Sequence, residues 1–112
     1  MRTKRDMDLV RLLLLVAEGD EKAEEEVQKY PQNVKHYHST MLIDEEYIDG
    51  LYNDSGYVIK GLTWKGHEFV DTVRDNSVWA AIKKRAQVAG AWSLGLLVQI
   101  AIQEGKQRLG LE

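Results

Sequence analysis

Lys35, His36, Ser39 and Thr40 lie within one short segment, and each can donate hydrogen bonds to base edges or phosphates. In a helix these spacings put them on one side. Val34, Tyr37, His38, Met41 and Leu42 recur at i, i+3, i+4, i+7 and i+8, which marks the core face. Ile43 falls outside that face with the four donors. This is the pattern of a DNA-recognition helix, which places its N-terminal residues against the major groove. Lys60 on a nearby hairpin, and Arg2, Lys4 and Arg5 as an N-terminal arm, would add cations. Two features oppose this chemistry. The face carries no arginine, the commonest base reader. Asp44, Glu45, Glu46 and Asp49 would repel phosphates at the helix end.

Other chemistries find less support. His36 and His38 are two residues apart and point to opposite sides of a helix, so no metal site is expected. His38 falls in the core stripe and is expected to be buried and hydrogen-bonded. His67 follows Gly66 and is expected to pack against the hairpin or to cap a backbone group. Asp6 and Asp8 stand at a helix start, where carboxylates interact well with the dipole. Glu24, Glu25 and Glu26 form a run that is expected to be solvated. Gly90 and Gly95 lack the lysine and spacing of a phosphate loop. The chain has no cysteine, which removes disulfides, thiolate ligands and thiol nucleophiles. Neither enzymatic activity nor a cofactor is expected.

The elements that must position these residues follow from periodicity. A helix is expected from about Asp6, as cap, to Glu18, with Gly19 ending it. Leu9, Leu12, Leu13, Val16 and Ala17 form its stripe. Val10 and Leu14 widen that stripe, so the helix is buried on more than one side or lies in a subunit interface. Asp20 to Lys29 reads as a short polar helix with Glu25 pairing Lys29, a strand being the alternative. Pro31-Gln32-Asn33 makes a break, and the next helix runs from Asn33, as cap, to about Glu46. Two short helices joined by a tight turn suggest a helix-turn-helix. Residues 47–52 and 57–62 flank Asn53-Asp54-Ser55-Gly56 and read as a β-hairpin, completing the winged-helix order.

Thr63 then caps a helix to about Val73, and Asp75-Asn76-Ser77 restarts one that carries Val78, Trp79 and Ile82. Gly90 interrupts it. Ser93 caps a last helix with Leu94, Leu97, Val98, Ala101 and Ile102 on one face, and Leu96 and Ile100 on a flank. Trp64 and Trp79 fit apolar patterns and are expected in the core. Trp92, beside Gly90 and Ser93, is the tryptophan expected nearest to solvent.

The net charge of −3 does not favour nucleic acid. The charges are segregated, however. The N-terminus is basic, residues 18–26 are acidic, and Lys83, Lys84 and Arg85 form a second basic cluster. The longest apolar run, Leu12 to Ala17, is far short of the roughly 20 residues a membrane span needs. No membrane association is expected. The lack of a secretory pattern and of cysteines fits the cytoplasm.

Lys4-Arg5-Asp6-Met7-Asp8-Leu9-Val10-Arg11 resembles the opening of a bacterial and phage family called domain of unknown function 2513. Tyr37-His38, Met41-Leu42 and Ile48-Asp49-Gly50 resemble its middle. Leu62 to Asp71, then Arg74-Asp75 and Trp79, resemble its strongest signature. The resemblance spans nearly the whole chain. It implies a small, often phage- or prophage-borne, winged-helix-like protein, and carries over no site residues. Glu46 departs from the small residue or glycine frequent there, and residues 18–30 are unusually acidic.

The expected fold is therefore α+β and mostly α: a winged helix-turn-helix with additional C-terminal helices. Residues 1–112 form one domain, with 1–74 as core and wing and 75–110 as extension. The expected function is DNA binding, as a regulator of phage or mobile-element type, on double-stranded DNA. The site is Arg2, Lys4, Arg5, Lys35, His36, Ser39, Thr40 and Lys60. The rival is a protein-interaction adaptor on the same scaffold. A homodimer through Leu94, Leu97, Val98, Ala101 and Ile102 suits both.

Overall fold

The computed structural model describes residues 5–89 and 99–103. It is mostly helical α+β, with one two-stranded antiparallel sheet. The elements are α1 (Met7–Ala17), α2 (Glu21–Val27), α3 (Gln32–Asp44), β1 (Ile48–Asn53), β2 (Gly56–Leu62), α4 (Trp64–Val73) and α5 (Asn76–Ala89). Residues 99–103 are also helical. The chain divides into two compact units, Met1–His67 and Glu68–Glu112, with the boundary inside α4. No helix among the described residues is long and apolar enough to cross a membrane.

In the first unit, α1 is the central element. Leu9, Val10, Leu13 and Leu14 are fully buried, because α2, α3 and β2 all lie against this helix. Of the two expected causes of its apolar width, burial on more than one side is the one seen. Asp6 caps it, accepting from the N–H groups of Asp8 and Leu9 at 3.0 and 3.2 Å. At the other end Gly19 adopts φ +101, a value open to glycine at little cost. The N–H groups of Gly19 and Asp20 then close onto the carbonyls of Val16 and Leu15. Asp20 at once caps α2 through the Ala23 N–H, 3.0 Å away. Residues 21–27 are helix, not strand. Lys29 pairs with Glu26 at 2.9 Å rather than with the expected Glu25. Both partners are exposed, so the pair contributes little.

Pro31, not Asn33, stands at the N-cap of α3. Its fixed φ suits a helix start, so Gln32 becomes the first helical residue. At the other end Glu46 takes φ +65, and the N–H groups of Glu46 and Tyr47 bond to the carbonyls of Ile43 and Leu42. This is a glycine-type helix terminus occupied by glutamate.

The hairpin forms as expected. Leu51 pairs with Val58 and Tyr52 with Tyr57, and the register shifts between Asp49 and Gly50. Lys60 is the extra residue of that bulge. A Cβ at Gly50 would strike the Val58 carbonyl and press on Ile43. Glycine there lets the hairpin approach α3.

The Thr63 hydroxyl caps α4 by accepting the Gly66 N–H at 3.0 Å. In the second unit, Asp75 caps α5 through the N–H groups of Ser77 and Val78. Phe69, Val70, Val73, Trp79, Ile82 and Ala86 are buried. Trp79 is thus a core residue, as expected. Trp64 is not: it is 80 % exposed. As the first residue of α4, its side chain lies on the solvent side of the turn that Thr63 caps. Trp92 lies outside the described residues.

Candidate functional site

Helix α3 is held on two sides, by α1 and by the hairpin, and this decides which way its side chains point. The fully inward positions are Lys35, His38, Ser39 and Leu42. The inward stripe is rotated from the expected one by about one residue, or roughly 100°. Val34 and Met41 are half-buried, and Tyr37 faces solvent.

Two expected donors are therefore misplaced. Lys35 is only 8 % exposed, and its Nζ reaches Gln28 Oε1 at 3.3 Å. Its methylene stem supplies apolar surface while the ammonium exits beside the α2–α3 turn. Ser39 is fully buried. Its hydroxyl has no partner among the described residues, and its small volume is what the packed face accommodates. Ile43, expected outside, sits against the hairpin at Gly50.

His36 faces the hairpin. Its Nε2 is 2.6 Å from the Asn53 carbonyl, which can only accept, so the proton sits on Nε2. The ring makes an edge contact with Tyr52 and a tilted contact with Tyr57. Asn53 meanwhile holds the turn by accepting from the N–H groups of Ser55 and Gly56. Tyr52 donates to Asp44 at 2.6 Å, and that hydrogen bond is the main cause that raises its pKa above the usual phenol value. His36, Tyr52, Tyr57 and Asp44 thus join α3 to the hairpin at both ends of the contact.

His38 is fully buried, as expected, and bonds on both sides. Its Nδ1 donates to the Val34 carbonyl at 2.8 Å, and its Nε2 accepts the Asp6 N–H at 2.8 Å. Burial raises the Tyr30 pKa, assisted by the charges of Asp6 and Asp8 and by a hydrogen bond to Asp6. His67 is exposed, and its side chain makes no hydrogen bond among the described residues. Among the described residues no three His, Asp or Glu side chains converge as metal ligands.

The face of α3 left to solvent is Asn33, Tyr37, Thr40 and Asp44, with Gln32 beside it. Thr40 is half-buried and its hydroxyl donates to the Tyr37 carbonyl. The helix presents no cation here, because Lys35 is its only lysine or arginine. Arg5 and Lys60 are exposed. Arg2, Lys4, Leu94, Leu97 and Val98 lie outside the described residues. Ala101 is buried and Ile102 is half-exposed. Sequence periodicity missed Gln32, Asn33 and Tyr37. Pro31 was the available signal, since a cap at Pro31 starts the helix two residues earlier than a cap at Asn33.

A second exposed feature is apolar. Leu51 and Val58, 62 % and 60 % exposed, are direct cross-strand partners on the outer hairpin face.

The chain is similar to an uncharacterised protein of Haemophilus influenzae, 28 % identical over 89 residues, which cover 71 % of this chain and 75 % of that protein. No solved structure matches it. The model of the family described as "Hypothetical protein (DUF2513)" matches residues 4–92, and the chain belongs to that family.

Proposed function

We propose that this chain is a winged-helix DNA-binding protein of regulatory type. α2 and α3 form the helix-turn-helix and β1–β2 the wing. The observation that carries the reading is the free face of α3. Its first turns offer Gln32, Asn33 and Tyr37 to solvent, with the half-buried Thr40 following on the same side, beside a hairpin clamped to the same helix by His36. A recognition helix uses these positions. Arg5 and Lys60 supply exposed cations for phosphates. The exposed carboxylates of α2 and of Asp44 to Glu46 oppose this attraction. The reading therefore assigns a small phosphate component and leaves most discrimination to base edges. A homodimer reading two half-sites belongs to the proposal, and sedimentation of the whole chain tests it.

A second reading has its own support. The outward Leu51–Val58 pair and the exposed Trp64 are side chains that protein partners cover. In that reading the scaffold is an adaptor. Fluorescence anisotropy with random-sequence duplex DNA separates the two. DNA binding predicts association at low salt that weakens with a logarithmic slope of about −2 to −4, one unit per phosphate contact. No association at low salt removes the DNA reading and leaves the adaptor.

A further inference from the structure

We propose that α3 selects A·T base pairs in the major groove, with Asn33 reading adenine. The inference rests on the DNA reading and names the class of sequence its site takes. Asn33, Tyr37 and Thr40 follow one another at i, i+4 and i+7, so they form a single stripe down the solvent side of α3. Asn33 and Tyr37 are exposed, and Gln32 flanks the stripe at the first helical position. A carboxamide has one acceptor and two donors, and can bond adenine N6 and N7 together. Guanine instead presents two acceptors, O6 and N7, and is read by arginine or lysine. The stripe contains neither. Lys35, the one cation of the helix, is turned inward and bonded to Gln28. The remaining groups suit the partner base. The Tyr37 ring and the Thr40 methyl can make apolar contact with a thymine methyl, and the Thr40 hydroxyl proton is already committed to the Tyr37 carbonyl. Asp44, at the far end of the stripe, has its carboxylate engaged by Tyr52. The side chains that remain for base reading lie between Gln32 and Thr40.

Anisotropy on the whole chain, at one fixed salt concentration, tests this with three labelled duplexes of equal length. One has an A·T-rich centre and one a G·C-only centre. The third repeats the first with 7-deazaadenine, which lacks the N7 acceptor. The expected result is binding about tenfold tighter to the A·T duplex than to the G·C duplex. The 7-deazaadenine duplex and the Asn33→Ala variant should both lose that preference. Asn33 is exposed, so the variant is expected to fold, and circular dichroism checks it; Gln32→Ala serves as a second variant. Equal affinity for A·T and G·C, or preference for G·C, overturns the inference while the DNA reading stands. An A·T preference that survives 7-deazaadenine overturns the assignment to Asn33, because minor-groove width would then be what is read. No binding to any duplex overturns both.

Discussion

The backbone N–H of Asp6 donates to Nε2 of His38, 32 residues along the chain, at 2.8 Å. His38 is fully buried and passes its other ring proton to the Val34 carbonyl. The start of α1 is thus held by the middle of α3. The Asp6 carboxylate caps α1 and also meets Tyr30. One residue therefore links α1, the α2–α3 turn and α3, and so sets where the solvent face of α3 points.

Replacing His38 with leucine keeps much of the volume but leaves the Asp6 N–H without its acceptor. A partly buried donor stranded in this way costs on the order of 2 kcal/mol. His38→Leu should lower Tm by roughly 10 °C in thermal unfolding. An unchanged Tm would show that this bond does not hold the first unit together.

Tyr30 predicts an alkaline effect. Burial, the charges of Asp6 and Asp8, and the bond to Asp6 raise its pKa in the folded chain above the ordinary value of 10.0. A group whose pKa rises on folding contributes its full stability below the unfolded pKa and loses it as pH rises through the folded one. Stability should therefore fall above about pH 10. Tyr30→Phe should reduce that fall and cost about 1 kcal/mol at neutral pH. Identical pH profiles for both proteins would contradict the assignment.

Glu46 occupies a left-handed backbone position that favours glycine. Glu46→Gly should stabilise the chain by about 1 kcal/mol, because L-residues are strained there. Chemical denaturation measures this, and a destabilised variant would mean that the Glu46 side chain makes a contribution larger than the strain.

Lys35 and Lys60 give opposite expectations for DNA. Lys60 is exposed, and Lys60→Glu should weaken binding and lower the salt slope by about one unit. Lys35→Met keeps the buried stem and removes an ammonium directed at Gln28. Its salt slope should match that of the unaltered chain. The reverse pattern would place Lys35 on the phosphates.

Much of this fold was legible in the residues. Asp6, Gly19, Thr63 and Asp75 act locally at helix ends, and local chemistry survives in any tertiary context. The hairpin was legible too, because Asn53 to Gly56 is turn chemistry between apolar flanks. The face of α3 was not. Periodicity marked Val34, Tyr37, His38, Met41 and Leu42 as the core face, and of these only His38 and Leu42 are fully inward. Contact with both α1 and the hairpin then turned Lys35 and Ser39 inward and Asn33 and Tyr37 outward. Trp64 was missed for a related reason. An apolar side chain at the first turn of a helix has no preceding turn to pack upon, so its residue type did not predict its burial.

Whether the solvent face of α3 meets DNA can be read from amide chemical-shift mapping of the isotope-labelled chain. On adding duplex DNA, shifts should concentrate at Gln32, Asn33, Tyr37 and Thr40, with smaller ones at Lys60. Shifts confined to Leu51 and Trp64, or no shifts at low salt, would contradict that contact.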